Sequence, residues 1–347
     1  MRVEVDAVWA GDRFRGRTVY EVDGPVLRRV DGPGSQARAA TASGGVRLGG
    51  TLIPHLTDHH THLGLADRSA LFRGGITDAV DLGWEPGVAS TWLADTAGGP
   101  AVAIAGALLT AVGGYPVNAG WGPPGCSAEL HGAADAVDAV RAQLAAGASR
   151  IKVTLNTVAG PTVDDDTLRA IVAEAHGSGV PVTVHVEGFG QAGRAIAAGA
   201  DQLAHAPFTE RLDDDLLRRA ADAGMTWVST LDIHGWGHPT AEFRVAQENI
   251  RRFAAVGGRI LYGTDLGNGA LPVGVDEREL HALAEAGLDA TALLQSIAGA
   301  DDPDAVGPRF AWLPDTPPTD PDRLPAWLAA ARGRTVTDTV ATLQEDS

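Results

Sequence analysis

The chain has 347 residues, 44% of them apolar, enough for one large barrel-type domain with a small accessory piece or for two ordinary domains. Its formal charge is -17, from 44 acidic against 27 basic residues, and so acidic a surface argues against nucleic acid and anionic membranes as partners. The single cysteine, Cys126, excludes an intramolecular disulfide and fits a reducing cytoplasm.

The first residues, MRVEVDAVWAGDR, alternate charged and apolar side chains and carry no signal-peptide core. Residues 1–50 read as β-rich, with turns at Asp23-Gly24-Pro25 and Asp31-Gly32-Pro33-Gly34. From there on, short apolar runs of strand type alternate with Ala-rich helical stretches. The strands are expected at Thr51–Leu56, Ile76–Leu82, Ala101–Ala105, Arg150–Leu155, Val180–Val186, Gln202–His205, Met225–Thr230 and Arg259–Thr264. Helices are expected at 133–146, 164–176, 191–198, 213–223, 241–255 and 277–286, several followed by glycine as a C-terminal cap. The runs Asp164-Asp165-Asp166 and Asp213-Asp214-Asp215 are explained by capping, since helix N-termini favour negative charge. The longest weakly polar run, 101–112, is too short to span a bilayer, so a cytoplasmic protein is expected. A homo-oligomer is left open.

Eight strand–helix repeats in about 250 residues predict an α/β fold, a (β/α)8 TIM-type barrel. A doubly wound sheet would have fewer units and a Gly-rich phosphate turn, which is not evident. Residues 306–347 are Pro- and Asp-rich, then offer an Ala-rich helix and a Thr/Val-rich strand at Thr335–Thr342. The expected division is a small β-rich domain from residues 1–50 plus 306–347, around a barrel at 51–305.

Candidate chemistry gathers at the strand ends. In Asp58-His59-His60-Thr61-His62, alternation puts His60 and His62 on one face and turns His59 away. Lys152 lies on the fourth strand, His185 ends the fifth, His205 the sixth and Asp265 the eighth, all at the rim where barrel enzymes keep their sites. Any one of these taken alone reads as structural; six on five strands read as a metal site. Lys152 is also the only lysine among 27 basic residues. Arginine replaces lysine at solvated positions, but not where an amine must lose its proton and react.

Together with Gly75-Ile-Thr-Asp-Ala-Val-Asp-Leu-Gly, Ala107-Leu-Leu-Thr-Ala-Val-Gly-Gly, Gly147-Ala-Ser-Arg-Ile-Lys and Tyr262-Gly-Thr-Asp-Leu-Gly, these residues resemble the amidohydrolase superfamily, and within it prolidase-like members. The resemblance implies two divalent metal ions, usually zinc, bridged by a carboxylated Lys152. It implies His60, His62, Lys152 and Asp265 around the first ion, and Lys152, His185 and His205 around the second. A carbamate supplies two oxygens and a negative charge where an ammonium supplies no ligand. Two metals would lower the pKa of a bridging water, and Asp265 would take its proton and pass it to the leaving nitrogen as general base and acid.

Specificity is expected from the loops. Tyr115 and Trp121 lie in the long third loop, where relatives often have histidine at the Tyr115 position. His234 and Trp236 follow strand seven as expected substrate contacts; His131, His238 and Cys126 are read as incidental. The leading expectation is hydrolysis of an amide or peptide bond in a peptide or modified peptide, with bottromycin-type natural-product relatives compatible. The alternatives are a cyclic-amide or lactone hydrolase, a single-metal deaminase, and an inactive barrel that binds a ligand or protein. Lys152 argues against the deaminase, and retention of all six ligands against the inactive barrel.

Overall fold

The computed structural model describes residues 1–30, 45–94, 98–299 and 303–345. The turn expected at Asp31-Gly32-Pro33-Gly34 lies outside these residues. The chain opens with β1 (Arg2–Val5), β2 (Ala7–Trp9), β3 (Phe14–Arg15), β4 (Thr18–Asp23), β5 (Val26–Arg29), β6 (Gly45–Arg47) and β7 (Thr51–Ile53). In β1 the alternation is complete: Val3 and Val5 are buried, while Arg2 and Glu4 reach the surface.

The barrel strands follow as β8 (Thr57–Thr61), β9 (Asp78–Asp81), β10 (Ala101–Ile104) with β11 (Leu108–Ala111), β13 (Ile151–Asn156), β14 (Val182–Glu187), β15 (Gln202–Leu203), β16 (Thr226–Val228) and β17 (Arg259–Leu261). A short strand, β12 (Ser127–Leu130), flanks β11. All the neighbouring pairs within these sheets are parallel. β10 and β11 form one broken third strand: β10 pairs with β9, and β11 with β13. The break falls at Gly106, whose φ of 73° favours glycine, and the Gln143 side chain accepts the freed amide of Ala107 at 2.8 Å. The ring closes where His59 N donates to Tyr262 O at 3.1 Å and Thr61 bridges Leu266.

Helices cover the barrel with their apolar faces. In Asp165–Gly177 the buried set Leu168, Ile171, Val172 and Ala175 follows the i, i+3, i+4, i+7 spacing of one helix face. The acidic runs are caps: Asp164 accepts from Thr167 N, and Asp213 from Leu216 N. Trp227 of β16 stacks on Phe253 at 3.9 Å between ring centres. Among the described residues, no helix is long and apolar enough to cross a membrane.

The C-terminal strands β18 (Ala305–Val306), β19 (Arg309–Leu313) and β20 (Arg332–Thr335) return to the N-terminal ones. The two resulting sheets run β18-β5-β4-β1-β6 and β20-β19-β7-β2-β3. Two expectations are corrected here. Thr51–Ile53 pairs with β2 and β19, so it belongs to the terminal sheet and the first barrel strand begins at Thr57. The run expected as a strand at Thr335–Thr342 is mostly helix, Val336–Glu345. Its β-branched residues suit a strand, but Val336, Thr339 and Leu343 recur on one buried helical face. Thr335 caps it by accepting from Asp338 N, and the Thr339 and Thr342 hydroxyls bond back to carbonyls one turn earlier.

The loop after β16, which carries His234, is tied to the helix Glu277–Glu285. Asp232 N donates to Glu279 Oε2 at 2.7 Å, and Arg278 grips Asp232 Oδ2 through two nitrogens at 2.9 and 2.6 Å. Glu279 is fully buried, and that burial pushes its carboxyl up from about 4.5 to about 8. Between those values the unfolded chain has lost a proton that the folded chain still holds. Stability from this group therefore falls as pH rises through the window, by at most about 1.4 kcal/mol per pH unit, and levels off above it. Glu279→Gln is expected to flatten that decline in denaturant titrations run at several pH values. An unchanged slope would remove Glu279 as its source.

Candidate metal centre

The site begins with β8, whose alternation buries Asp58 and His60 on one face. Asp58 accepts from the backbone amides of His60 and Thr264, each at 3.0 Å, and from the Thr264 hydroxyl. It is fully buried, and burial pushes its carboxyl up to about 7 in spite of these donors. Asp58 thereby clamps the first strand to the segment that follows the eighth. His59 turns the other way, among Arg150, Arg259 and His55.

Each of the three histidines around Asp265 is oriented by an outer partner. His60 Nδ1 lies 2.8 Å from Ala204 O, and His62 Nδ1 lies 3.0 Å from Gly83 O. A carbonyl only accepts, so both Nδ1 atoms carry the proton and both Nε2 atoms present a lone pair. His205 Nδ1 sits 2.8 Å from the Thr230 hydroxyl. Thr230 holds a φ of 46°, costly for a β-branched residue, in the position from which it reaches His205.

Asp265 completes the group from beyond β17. Its φ is 58°, its amide donates to His60 O at 2.7 Å, and its Oδ2 accepts from Asn268 at 3.0 Å. Its other oxygen, Oδ1, lies 3.1 Å from His60 Nε2 and 3.2 Å from His62 Nε2. Yet Oδ1 and His60 Nε2 are buried without a hydrogen-bond partner among the described residues. His60, His205 and Asp265 bring one ligand atom each within 4.8 Å of one another. This trio draws on both ligand sets that the family resemblance implies.

Lys152 and His185 stand beside this trio on β13 and β14. Lys152 is 1% exposed; burial pushes its amine down to about 7, against the attraction of Asp265 and Asp81. His185 Nε2 lies 3.5 Å from both Asn156 Nδ2 and Glu187 Oε2, and its ring packs 4.9 Å from that of His205. Burial first, and Lys152 among the neighbouring cations, hold His60 and His205 well below the ordinary imidazole range. At His62 burial opposes the charge, but the Asp265 carboxylate outweighs it and raises the ring's proton affinity. Asp265 itself stays ionised well below the usual range: burial opposes this, and His60, His62 and His205 overcome it. Neutral imidazoles at His60, His185 and His205, a carboxylate oxygen and a deprotonatable amine form a donor set that fits divalent cations. Two buried polar atoms left unpartnered at its centre are what such a cation would satisfy.

A cavity of about 210 Å³ opens over these groups, and Tyr115, Trp121, Phe208, His234 and Glu187 help to line it. Tyr115 stacks on His185 at 5.1 Å, its backbone pinned by the Thr154 hydroxyl at 2.6 Å. Burial pushes its phenol well up, so it is a hydrogen-bond donor at any ordinary pH. Trp121 packs on His62 at 4.8 Å, and His234 on Phe208 at 4.4 Å. Trp236 does not join them, against expectation. Its indole donates to Asn268 O at 3.0 Å and lies over Gly269, so it lines a separate pocket with Phe243 and Arg278. His131 and His238 are exposed, and Cys126 is buried away from this lining.

Sequence reasoning missed Asp58, Asp81, Thr230 and Glu187. Asp58 and Glu187 each stand two residues from a singled-out histidine, where strand alternation could have found them. Asp81 ends β9, at the same end of the barrel strands as His185 near the end of β14 and His205 just past β15; Thr230 carries no sequence signal.

The sequence profile of the amidohydrolase family matches residues 51–297. The chain belongs to that family and is a hydrolase acting on carbon–nitrogen bonds. A comparison with curated proteins finds no match. Among solved structures it is similar to a Xaa-Pro dipeptidase with bound methionine, at 19% identity over 95% of this chain and 96% of that one, with a TM-score of 0.74. It is also similar to a putative prolidase from Bifidobacterium longum, at 21% identity over 99% and 98%, with a TM-score of 0.72. The bottromycin amidohydrolase superposes at 17% identity over 99% and 89%, with a TM-score of 0.66. At these identities the structures speak for the shared fold.

Asp58→Ala would leave three buried donors without an acceptor where the barrel closes. Chemical denaturation is expected to show a loss of about 3 kcal/mol. A loss below about 1 kcal/mol would mean that the closure stands without this clamp.

Proposed function

We propose that this amidohydrolase-family protein cleaves an amide or peptide bond of a peptide or modified peptide with two divalent metal ions, zinc in our reading. His60, His62, Lys152 and Asp265 would hold one ion, and Lys152, His185 and His205 the other, with Lys152 carboxylated between them. The observation that carries this reading is the pair of buried, unpartnered ligand atoms, His60 Nε2 and Asp265 Oδ1, at the floor of the cavity. When bound, the ions would activate water and polarise the scissile carbonyl.

The chain's own groups would do the rest. Asp265, ionised and buried, takes a proton on its carboxylate and returns it to the leaving nitrogen. Tyr115, held as a donor, hydrogen-bonds the carbonyl oxygen as charge develops there. Trp121 and Phe208 give the substrate apolar walls that exclude water, and His234 offers a buried Nε2 that has no partner among the described residues. A single-metal deaminase would leave Lys152 buried without a task.

Elemental analysis of the purified protein is expected to find two divalent ions per chain, and a chelator to abolish amide hydrolysis. Lys152→Ala should lose metal and more than about 100-fold in kcat/KM together, with partial rescue of both by short carboxylic acids. Full activity in Lys152→Ala would sink the bridging role. One ion per chain with ammonia release would replace the hydrolase reading with a deaminase.

A further inference from the structure

Each charged side chain lining the cavity can be assigned a task except one. Lys152 and Asp265 belong to the proposed metal cluster; Glu187 remains. It ends β14, and its Oε2 accepts from Asn156 Nδ2 at 2.6 Å. Asn156 is itself fixed, because its Oδ1 accepts from the amides of Val158 and Ala159 at 3.0 and 2.9 Å. One carboxylate oxygen is therefore bound to a rigid support. The other, Oε1, has no protein partner among the described residues, and the side chain keeps 25% of its surface. Tyr115 and His234 are close enough across the cavity to feel the Glu187 charge.

The cations tell the complementary story. Arginine makes up 26 of the 27 basic residues, yet among the described residues none lines this cavity or the adjoining one of about 290 Å³ that shares His62, Tyr115, Trp121 and Asp265, and Arg278, in the pocket that shares His234, is already engaged by Asp232. A free carboxylate on the substrate would find no guanidinium there, the group best suited to bind it. An amine would find a preorganised carboxylate oxygen, in a protein whose net charge of -17 draws cations toward it.

We infer that Glu187 is the specificity-determining residue of this site, and that it selects amide substrates carrying a cationic amine near the scissile bond over those carrying a free carboxylate. The inference rests on the amide-hydrolase reading above and names its substrate class. The amine is either the α-amine of a peptide or a lysine-type side chain, and one series of peptide amides separates the two. A free α-amine, an N-acetyl cap with a lysine side chain, an uncharged N-acetyl cap and an anionic N-succinyl cap are compared on the metal-loaded enzyme.

At least one cationic form should exceed the uncharged one about tenfold in kcat/KM, with the succinyl form lowest. Glu187→Gln should bring the cationic-to-uncharged ratio close to one. Because the ratio is taken within each variant, a change in metal content through the neighbouring His185 cancels. Preference for the succinyl form, or a ratio unchanged in Glu187→Gln, would overturn the inference while leaving amide hydrolysis in place. Calorimetry with aminopropylphosphonate and carboxyethylphosphonate gives a readout without turnover. Tighter binding of the amine, lost in Glu187→Gln, supports the inference even if no peptide amide is cleaved, in which case the hydrolase reading fails alone. Tighter binding of the carboxylate in the wild-type protein counts against Glu187 whatever the activity.

Discussion

The mouth of the barrel depends on its closure, the joining of the first strand to the segment after the eighth. His59 N donates to Tyr262 O, Asp265 N to His60 O, and His62 N to Leu266 O, while the Asp58 carboxylate takes both the amide and the hydroxyl of Thr264. These bonds bring residues about two hundred positions apart into one register. Without them His60, on β8, and His62, just past its end, would still stand two residues apart, but Asp265 would not stand against both rings. Fixing a long loop this way is entropically costly, and the backbone ladder with a fully buried acceptor offsets it.

Given that closure, the inner geometry is set from outside. Carbonyls of Ala204 and Gly83 fix the His60 and His62 tautomers, and the Thr230 hydroxyl, on a left-handed backbone, orients His205. Each outer contact takes up one ring nitrogen and turns the other inward. The result is locally unfavourable: polar atoms are buried together without hydrogen bonds, and Lys152 is buried with its amine's proton affinity depressed. A barrel held elsewhere by parallel ladders such as β13 against β14 can carry that cost at one end.

How much of this was legible follows from which physical rule governs each residue. His60, His62, Lys152, His185, His205 and Asp265 could be read because strand ends in a barrel converge, and position in the strand pattern gives position at the rim. Asp58 and Glu187 obeyed the same alternation but were not set apart from the ordinary acidic background. The terminal elements were harder. Thr51–Ile53 has the composition of a barrel strand, and only pairing with β2 and β19 assigns it elsewhere. The Val336–Glu345 helix is rich in β-branched residues, and burial of one face outweighed their propensity. Trp236 lay in the right loop, but its turn at φ 47° carries the indole over Gly269 and out of the cavity.

The solitary lysine is best understood from this geometry. A guanidinium cannot shed its proton in a protein, so an arginine on β13 would bring a permanent charge among imidazoles that need to stay neutral. A lysine at the same place, 1% exposed, has its amine pushed down to about 7, so a sizeable fraction is neutral and nucleophilic near neutral pH. In the reading proposed above, that is the state from which carboxylation by CO2 would begin. A chain that meets its other needs for positive charge with arginine keeps its one lysine at a buried position where an amine, unlike a guanidinium, can lose its proton.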